Sequence, residues 1–292
     1  MKTSVSERIF NVFNVVFMLF VAVIMFYPMW HVLCASLSNS DLIVAHSGVL
    51  LFPKQFTFNA YHAVFKNPMI VRGTLNTVIL VAGGLALSIV MTCIGAYGLS
   101  QKGVYWQKAL TKFFTVTMYI NGGLIPMYLL VTKTLHLNDS YGAILLPLAI
   151  NTYYLIIMKT SFAQIPDSLI EASKLDGATH IQILFKVVVP LSMPIIAVIV
   201  LYYAVDLWNS WFYAAIYLRT RTKFPLQLLL REILIENDTS SMAGDASFSD
   251  QYSIGETIKY AITIVATLPI LILFPFLQRY FVKGVMVGAV KE

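Results

Sequence analysis

The sequence predicts an all-α polytopic membrane protein with six transmembrane helices, and two observations carry that prediction. Of 292 residues, 58% are hydrophobic and only 12% charged, with a mean hydropathy of +0.76; a water-soluble globule could not hide that much apolar surface. The apolar runs are also continuous rather than alternating, and a hydrocarbon core of roughly 30 Å takes about 20 such residues per helix. Lipid offers no hydrogen bonds to the backbone, so continuous runs of this length read as helices rather than barrel strands.

The first span covers residues 12–33. Lys2 and Arg8 give it a basic start like that of a signal peptide. The apolar run is nevertheless about twice as long as a signal core, and it ends in Pro28-Met29-Trp30-His31 rather than in small residues, so a retained helix is expected. The remaining spans are read at 75–99, 113–131, 141–158, 189–216 and 260–281, within a single membrane domain over residues 1–292. Pro126 after Gly122-Gly123, Pro147, Pro194, Pro269 and Pro275 fall inside these spans and predict kinks, which neighbouring membrane helices accommodate.

Six spans put both termini on one side, together with the polar segment after the fourth span. Lys2, Arg8, Lys102, Lys108, Lys112, Arg279, Lys283 and Lys291 all fall on that side, which makes it cytoplasmic by the positive-inside rule. Lys54, Lys66, Arg72, Arg219, Arg221, Lys223 and Arg231 fall on the other side, mostly in two long loops, where the rule has less force.

The polar segment, residues 161–188, reads as two short helices. Pro166 ends what precedes, and Ser168 stands three residues before Glu171 in capping-box spacing. Gly177 is a natural helix stop. Thr179 is placed to cap a second helix containing Ile181, Ile183, Leu184 and Val187 that runs toward Pro190. A capping box alone is more often a structural cap than a docking element.

The wider pattern is more specific. Glu171-Ala172-Ser173-x-x-Asp176-Gly177-Ala178, with Phe185 and Leu191 to Pro194, resembles the EAA loop of permease subunits from binding-protein-dependent ABC importers. Asn121 to Leu130 (NGGLIPMYLL), Trp208-Asn209 and Gln278 to Gly284 (QRYFVKG) resemble the carbohydrate-uptake branch, and the whole chain is similar to its maltose-type second permease, in the subgroup handling complex oligosaccharides. Ser173 stands where the family usually has a second Ala, a small-for-small change. The resemblance implies the type I importer permease fold, with a first EAA helix, the coupling helix, that inserts into a groove on an ATPase subunit. Glu171 would make a charged contact or brace the loop. Ala172, Gly177 and Ala178 would permit close approach, Ser173 would leave the docking surface intact, and Asp176 would order the turn. The implied partners are a second, related permease, two ATPase subunits, an extracytoplasmic solute-binding protein, an oligosaccharide and the lipid bilayer of a bacterial inner membrane, but no nucleic acid.

No Gly-x-x-x-x-Gly-Lys-[Ser/Thr] phosphate loop occurs, so no cofactor is expected on this chain, and ATP and Mg belong to the partner ATPase. Cys34 and Cys93 have no pairing spacing, and His31, His46, His62, His136 and His180 have no metal-ligand spacing. No catalytic triad is present, and the chain reads as a transport subunit rather than an enzyme.

A substrate path is sought among polar residues at membrane depth, where a central Asp costs about 2.5–3.5 kcal/mol on translocon scales. Asp206 is the outstanding case. Helical spacing puts Tyr202, Asp206 and Asn209 on one face, and Tyr203, Trp208 and Trp211 add aromatic surface of the kind on which sugar C–H faces stack. The same residues also fit an interfacial aromatic belt, with Asp206 bonded to a neighbouring helix. Asn76, Asn121 and Asn151 are further candidates, although Asn often joins helices. Arg219, Arg221, Lys223 and Arg231, in a chain of net charge +6, fit either an acidic, uronate-containing oligosaccharide or an acidic lobe of the binding protein. The stretch Glu236 to Asp250, rich in Asp, Ser and Thr, reads as flexible or ordered only by a partner. A secondary transporter or a permease for a non-carbohydrate solute remains the alternative; the first would require paired repeats and ion-binding half-helices.

Overall fold

A computed structural model describes residues 5–46, 48–120, 122–235 and 248–289. It is all helical, with no strand among the described residues, and it comprises two compact units. The stretch 236–247 and Asn121 lie outside the described residues.

One unit is formed by Met1–Val71 and Leu230–Leu268. Its first helix, α1 (Val5–Ser36), carries apolar side chains exposed on every side from Ile9 to Phe26, the pattern of a helix in contact with lipid or with other membrane helices. Only its C-terminal end is packed. Cys34, Ala35 and Leu50 form a small core with Trp30 and with Ile43 of α2 (Ser40–Val44). The Trp30 indole donates to the Leu51 carbonyl at 2.9 Å. A second short helix, α3 (Asn59–Lys66), buries Ala60 and Val64.

The other unit, Arg72–Leu229 and Pro269–Glu292, holds the features on which the functional reading depends. Its backbone is α4 (Pro68–Ser100), an unbroken apolar helix. Glycines give α4 its close contacts. A Cβ on Gly84 would lie 2.6 Å from Leu207 and 3.0 Å from Leu145, and one on Gly73 would lie 2.5 Å from Leu229. Small residues let membrane helices approach in this way.

The third, fourth and fifth expected spans are not single helices. Residues 113–131 divide between α5 (Gln107–Thr117) and α6 (Leu124–Leu129), with a π-helical turn, Leu130–Thr134, after α6. The break falls at Gly122-Gly123, where Gly123 adopts φ +86, a conformation that costs glycine nothing. Residues 141–158 divide between the single turn α7 (Gly142–Leu145) and α8 (Thr152–Phe162). Pro147 cannot donate to a continuing helix, and the Asn151 side chain starts α8 by accepting from the Tyr153 and Tyr154 amides.

The fifth region bends by 88° between the helical segment His180–Leu191 and the helix Met193–Trp208. The first segment comprises α10 (His180–Ile183), a π turn and α11 (Val189–Leu191); α9 (Asp167–Leu175) precedes it and α12 is Met193–Trp208. The bend sits at Ser192, between Pro190 and Pro194, where each proline removes a backbone donor and crowds the preceding turn. Beyond α12 come α13 (Trp211–Tyr217), α14 (Leu226–Ile235) and α15 (Phe248–Ala289), which runs past both expected ends of the sixth span and accommodates Pro269 and Pro275. Among the described residues, three helices are long and apolar enough to cross a membrane, or four if the bent pair counts as one span.

The main core of this unit joins α4, α8, the bent segment and α12. It is built on Cys93, Ala96 and Tyr97, on Leu155 and Met158, on Ile183 and Val188, and on Ile199 and Tyr203. A second cluster packs Ala214 and Leu218 against Leu80, Ile144 and Leu228.

Candidate functional site

Two features of the second unit are candidates for functional chemistry. The first is the helix hairpin of residues 161–188. α9 starts at Asp167, one residue before the predicted cap, with Pro166 at the N-cap and no side-chain bond there. Ser168 therefore lies inside the helix, and the predicted capping box with Glu171 does not form. Asp167 at the exposed first turn instead pairs with Lys102.

The end of α9 follows the sequence closely. Asp176 occupies the C-cap, Gly177 takes φ +79, and the amides of Gly177 and Ala178 donate to the Lys174 and Ser173 carbonyls, each at 3.0 Å. This is the Schellman closure that an αL glycine makes possible. Thr179 then caps α10 in a capping box with Gln182.

The hairpin is seated on one face and open on the other. Ile165, Ile170 and Ala178 pack against the main core, and the Tyr97 hydroxyl lies 3.1 Å from His180 Nδ1. No residue of α9 is fully buried. Leu175 is 89% and Ile181 71% exposed, an apolar pair that water alone would not favour. Glu171, Ala172 and Asp176 are exposed, Ser173 returns its hydroxyl to Leu169 O, and space around Gly177 is empty. Glu171 has no ion pair or side-chain hydrogen bond among the described residues.

The second feature is a polar aromatic face where α8 meets α12. Tyr202, Asp206 and Asn209 are all exposed, as their spacing predicts. The Tyr154 hydroxyl donates to Asp206 Oδ2 at 2.7 Å, and the Tyr154 ring lies 5.5 Å from Tyr202 and 4.8 Å from Tyr203. Tyr203 is itself buried, with its hydroxyl joined to Thr92 Oγ1 at 2.8 Å and to the Asn151 amide at 2.9 Å. It holds the wall rather than lining the face. Trp208 is buried and Trp211 is half-buried against the second cluster. Asn209 closes α12 by donating to Val205 O.

Asn76 does not join this face. Its amide donates to the carbonyls of Thr222 and Phe224 at 2.9 and 3.0 Å, tying α4 to the loop before α14. Asn121 lies outside the described residues. Sequence reasoning missed Tyr154, 52 residues from Asp206; the Asn151 cap ahead of a Tyr-Tyr pair was the signal available.

Asp139 was also missed. It accepts from Lys223 Nζ at 2.8 Å, from the Thr220 hydroxyl at 2.6 Å and from the Arg219 and Thr220 amides at 3.0 Å. The Lys223 ammonium, followed by these other donors, holds the Asp139 carboxyl well below the usual carboxylate range. Of the predicted basic group, Lys223 is thus locally neutralised.

Comparison with known proteins shows the family to which the chain belongs. The chain is 40% identical to the polygalacturonan/rhamnogalacturonan transport system permease protein YtcP of Bacillus subtilis, over 98% of this chain and 99% of that protein. It is 36% identical to the protein LplC of the same organism, over 100% and 98%. Among solved structures, it is similar to a chain of a bacterial ABC transporter involved in the import of the acidic polysaccharide alginate, with a TM-score of 0.89 at 31% identity, covering 96% of this chain and 99% of that one. The description of binding-protein-dependent transport system inner membrane components matches residues 84–287, a stretch that includes both the hairpin and the α8–α12 face, and the chain belongs to that family as a membrane permease with the type I ABC importer fold.

Proposed function

We propose that this permease forms half of the pore through which an ATP-driven importer takes up oligosaccharides cut from acidic, uronate-containing polysaccharides. The observation that carries the reading is likeness over essentially the full length both to a permease named for polygalacturonan and rhamnogalacturonan and to a chain from an alginate importer. The α8–α12 face suits such a cargo. The Tyr202 and Tyr154 rings offer stacking surface, and Asp206 keeps Oδ1 available to accept from sugar hydroxyls. A carboxyl group at this position suits sugar hydroxyls better than a uronate carboxylate, so carboxylates are expected to face elsewhere in the pore.

Energy comes from outside the chain. In this reading the hairpin docks on a partner ATPase, which holds ATP and Mg, and Leu175, Ile181, Glu171 and the open space at Gly177 form the docking surface. The complete assembly has a second, related permease, two ATPase subunits and an extracytoplasmic solute-binding protein, with both termini of this chain cytoplasmic. The chain itself performs no chemistry.

Proteoliposomes holding the assembly, with ATP inside and binding protein outside, test the substrate. Labelled oligogalacturonate should accumulate and unlabelled neutral glucose oligomers should not compete. Uptake of the neutral oligomers in preference would overturn the acidic assignment while leaving the permease reading intact.

A further inference from the structure

Beyond Lys102, which pairs with Asp167 of the hairpin, the turn between α4 and α5 and the start of α5 present an aromatic and basic surface. Val104, Tyr105 and Trp106 are 45%, 85% and 69% exposed and line a shallow concavity running from Gly103 to Ala109. Trp106 adopts φ +69, a left-handed conformation that is unfavourable for a bulky side chain.

The helix that follows has an assigned inner face. The Gln107 amide donates to Leu99 O at 2.7 Å, Phe114 packs on the main core, and Thr111 and Thr115 return their hydroxyls to their own helix. Lys108 and Lys112 lie one turn apart on the opposite, exposed face, beside the exposed Phe113. Neither lysine forms an ion pair among the described residues.

We infer that this surface binds the headgroup region of anionic phospholipids in the cytoplasmic leaflet. Trp and Tyr favour the membrane–water boundary, where the ring is half in hydrocarbon and its polar atom is wet. Lysines in the first and second turns of α5 extend their stems toward that boundary and meet lipid phosphates there. Phe113 continues the surface toward the acyl chains. A protein groove would also take the aromatics, but two unpaired lysines at the predicted level of the headgroups complement anionic lipid most directly.

Each lysine near an anionic surface enriches the lipid about fivefold, so the pair gives about a twenty-fivefold preference over zwitterionic lipid. The test uses the assembled importer in nanodiscs containing a small fraction of dibrominated phosphatidylglycerol or dibrominated phosphatidylcholine. Trp106 emission is read as the difference between the unmodified protein and Trp106→Phe. Quenching should be strong with the brominated anionic lipid, weak with the zwitterionic one, and equalised in Lys108→Gln/Lys112→Gln. Equal quenching by both lipids in the unmodified protein would overturn the charge-based assignment. Absence of quenching by either would show that a protein partner covers the turn, and would overturn it as well.

Discussion

Asp206 is held by one strong contact, the hydroxyl of Tyr154 at 2.7 Å. Replacing it with Asn preserves the shape and the bond to Tyr154 but weakens it as an acceptor for sugar hydroxyls. A charged acceptor exceeds a neutral one by about 1 kcal/mol, so Asp206→Asn should raise the half-saturating sugar concentration for uptake about fivefold. Tyr154→Phe should act in the same direction by leaving Asp206 unheld. Unchanged uptake kinetics in both variants would remove this face from the pore.

Asp139 makes a prediction of opposite character, since its role is attachment. Its carboxyl is depressed in the folded protein, so its stabilisation is complete above the ordinary carboxylate range and is lost only as pH falls through the depressed value. The link to Lys223 and Thr220 should therefore hold unchanged across neutral and mildly acidic pH. Asp139→Asn should lower the melting temperature of the purified protein in detergent at neutral pH, and the difference from the unmodified protein should vanish in strong acid. A pH-independent difference would assign the effect to something other than this carboxylate.

At the scale of elements, Gly177 and Gly84 test two kinds of closeness. Gly177 needs its left-handed φ but touches nothing, so Gly177→Val strains the turn by about 1–2 kcal/mol and places methyl groups on the docking surface. Membrane insertion should be normal and sugar-driven ATP hydrolysis by the assembly should fall at least tenfold; coupled hydrolysis at the normal rate would sink the docking role. Gly84 instead abuts Leu207 and Leu145. Gly84→Leu overfills that contact at about 1–3 kcal/mol, and the yield of folded protein should drop along with uptake.

These elements also show what the chain's chemistry announces on its own. α1 and α4 were legible because their apolar runs are unbroken, and the Gly177 stop and the Thr179 cap because both follow from local backbone needs. The breaks near Gly123, Asn151 and Ser192 were not, because composition records how apolar a stretch is and membrane helices tolerate Pro and Gly inside. Asn76 had the look of a pore residue, yet its partners are carbonyls 146 and 148 residues away. Tyr154 and Asp139 escaped for the same reason, their partners being distant in sequence.

At the scale of the whole molecule, a hairpin seated on the same core as the α8–α12 face offers a mechanical link. Ile170 and Ala178 pack on a cluster that also contains Tyr203 and Leu155, neighbours of Asp206 and Tyr154 in sequence. Movement of the hairpin by a partner ATPase would shift the wall proposed to carry the sugar contacts. The most direct measurement is ATP hydrolysis by the complete reconstituted importer, with binding protein added empty or loaded with oligogalacturonate. Loaded binding protein should stimulate hydrolysis severalfold over the empty form, and Gly177→Val should abolish that stimulation. Hydrolysis indifferent to the loaded binding protein in an assembly that still contains every subunit would contradict the importer mechanism itself.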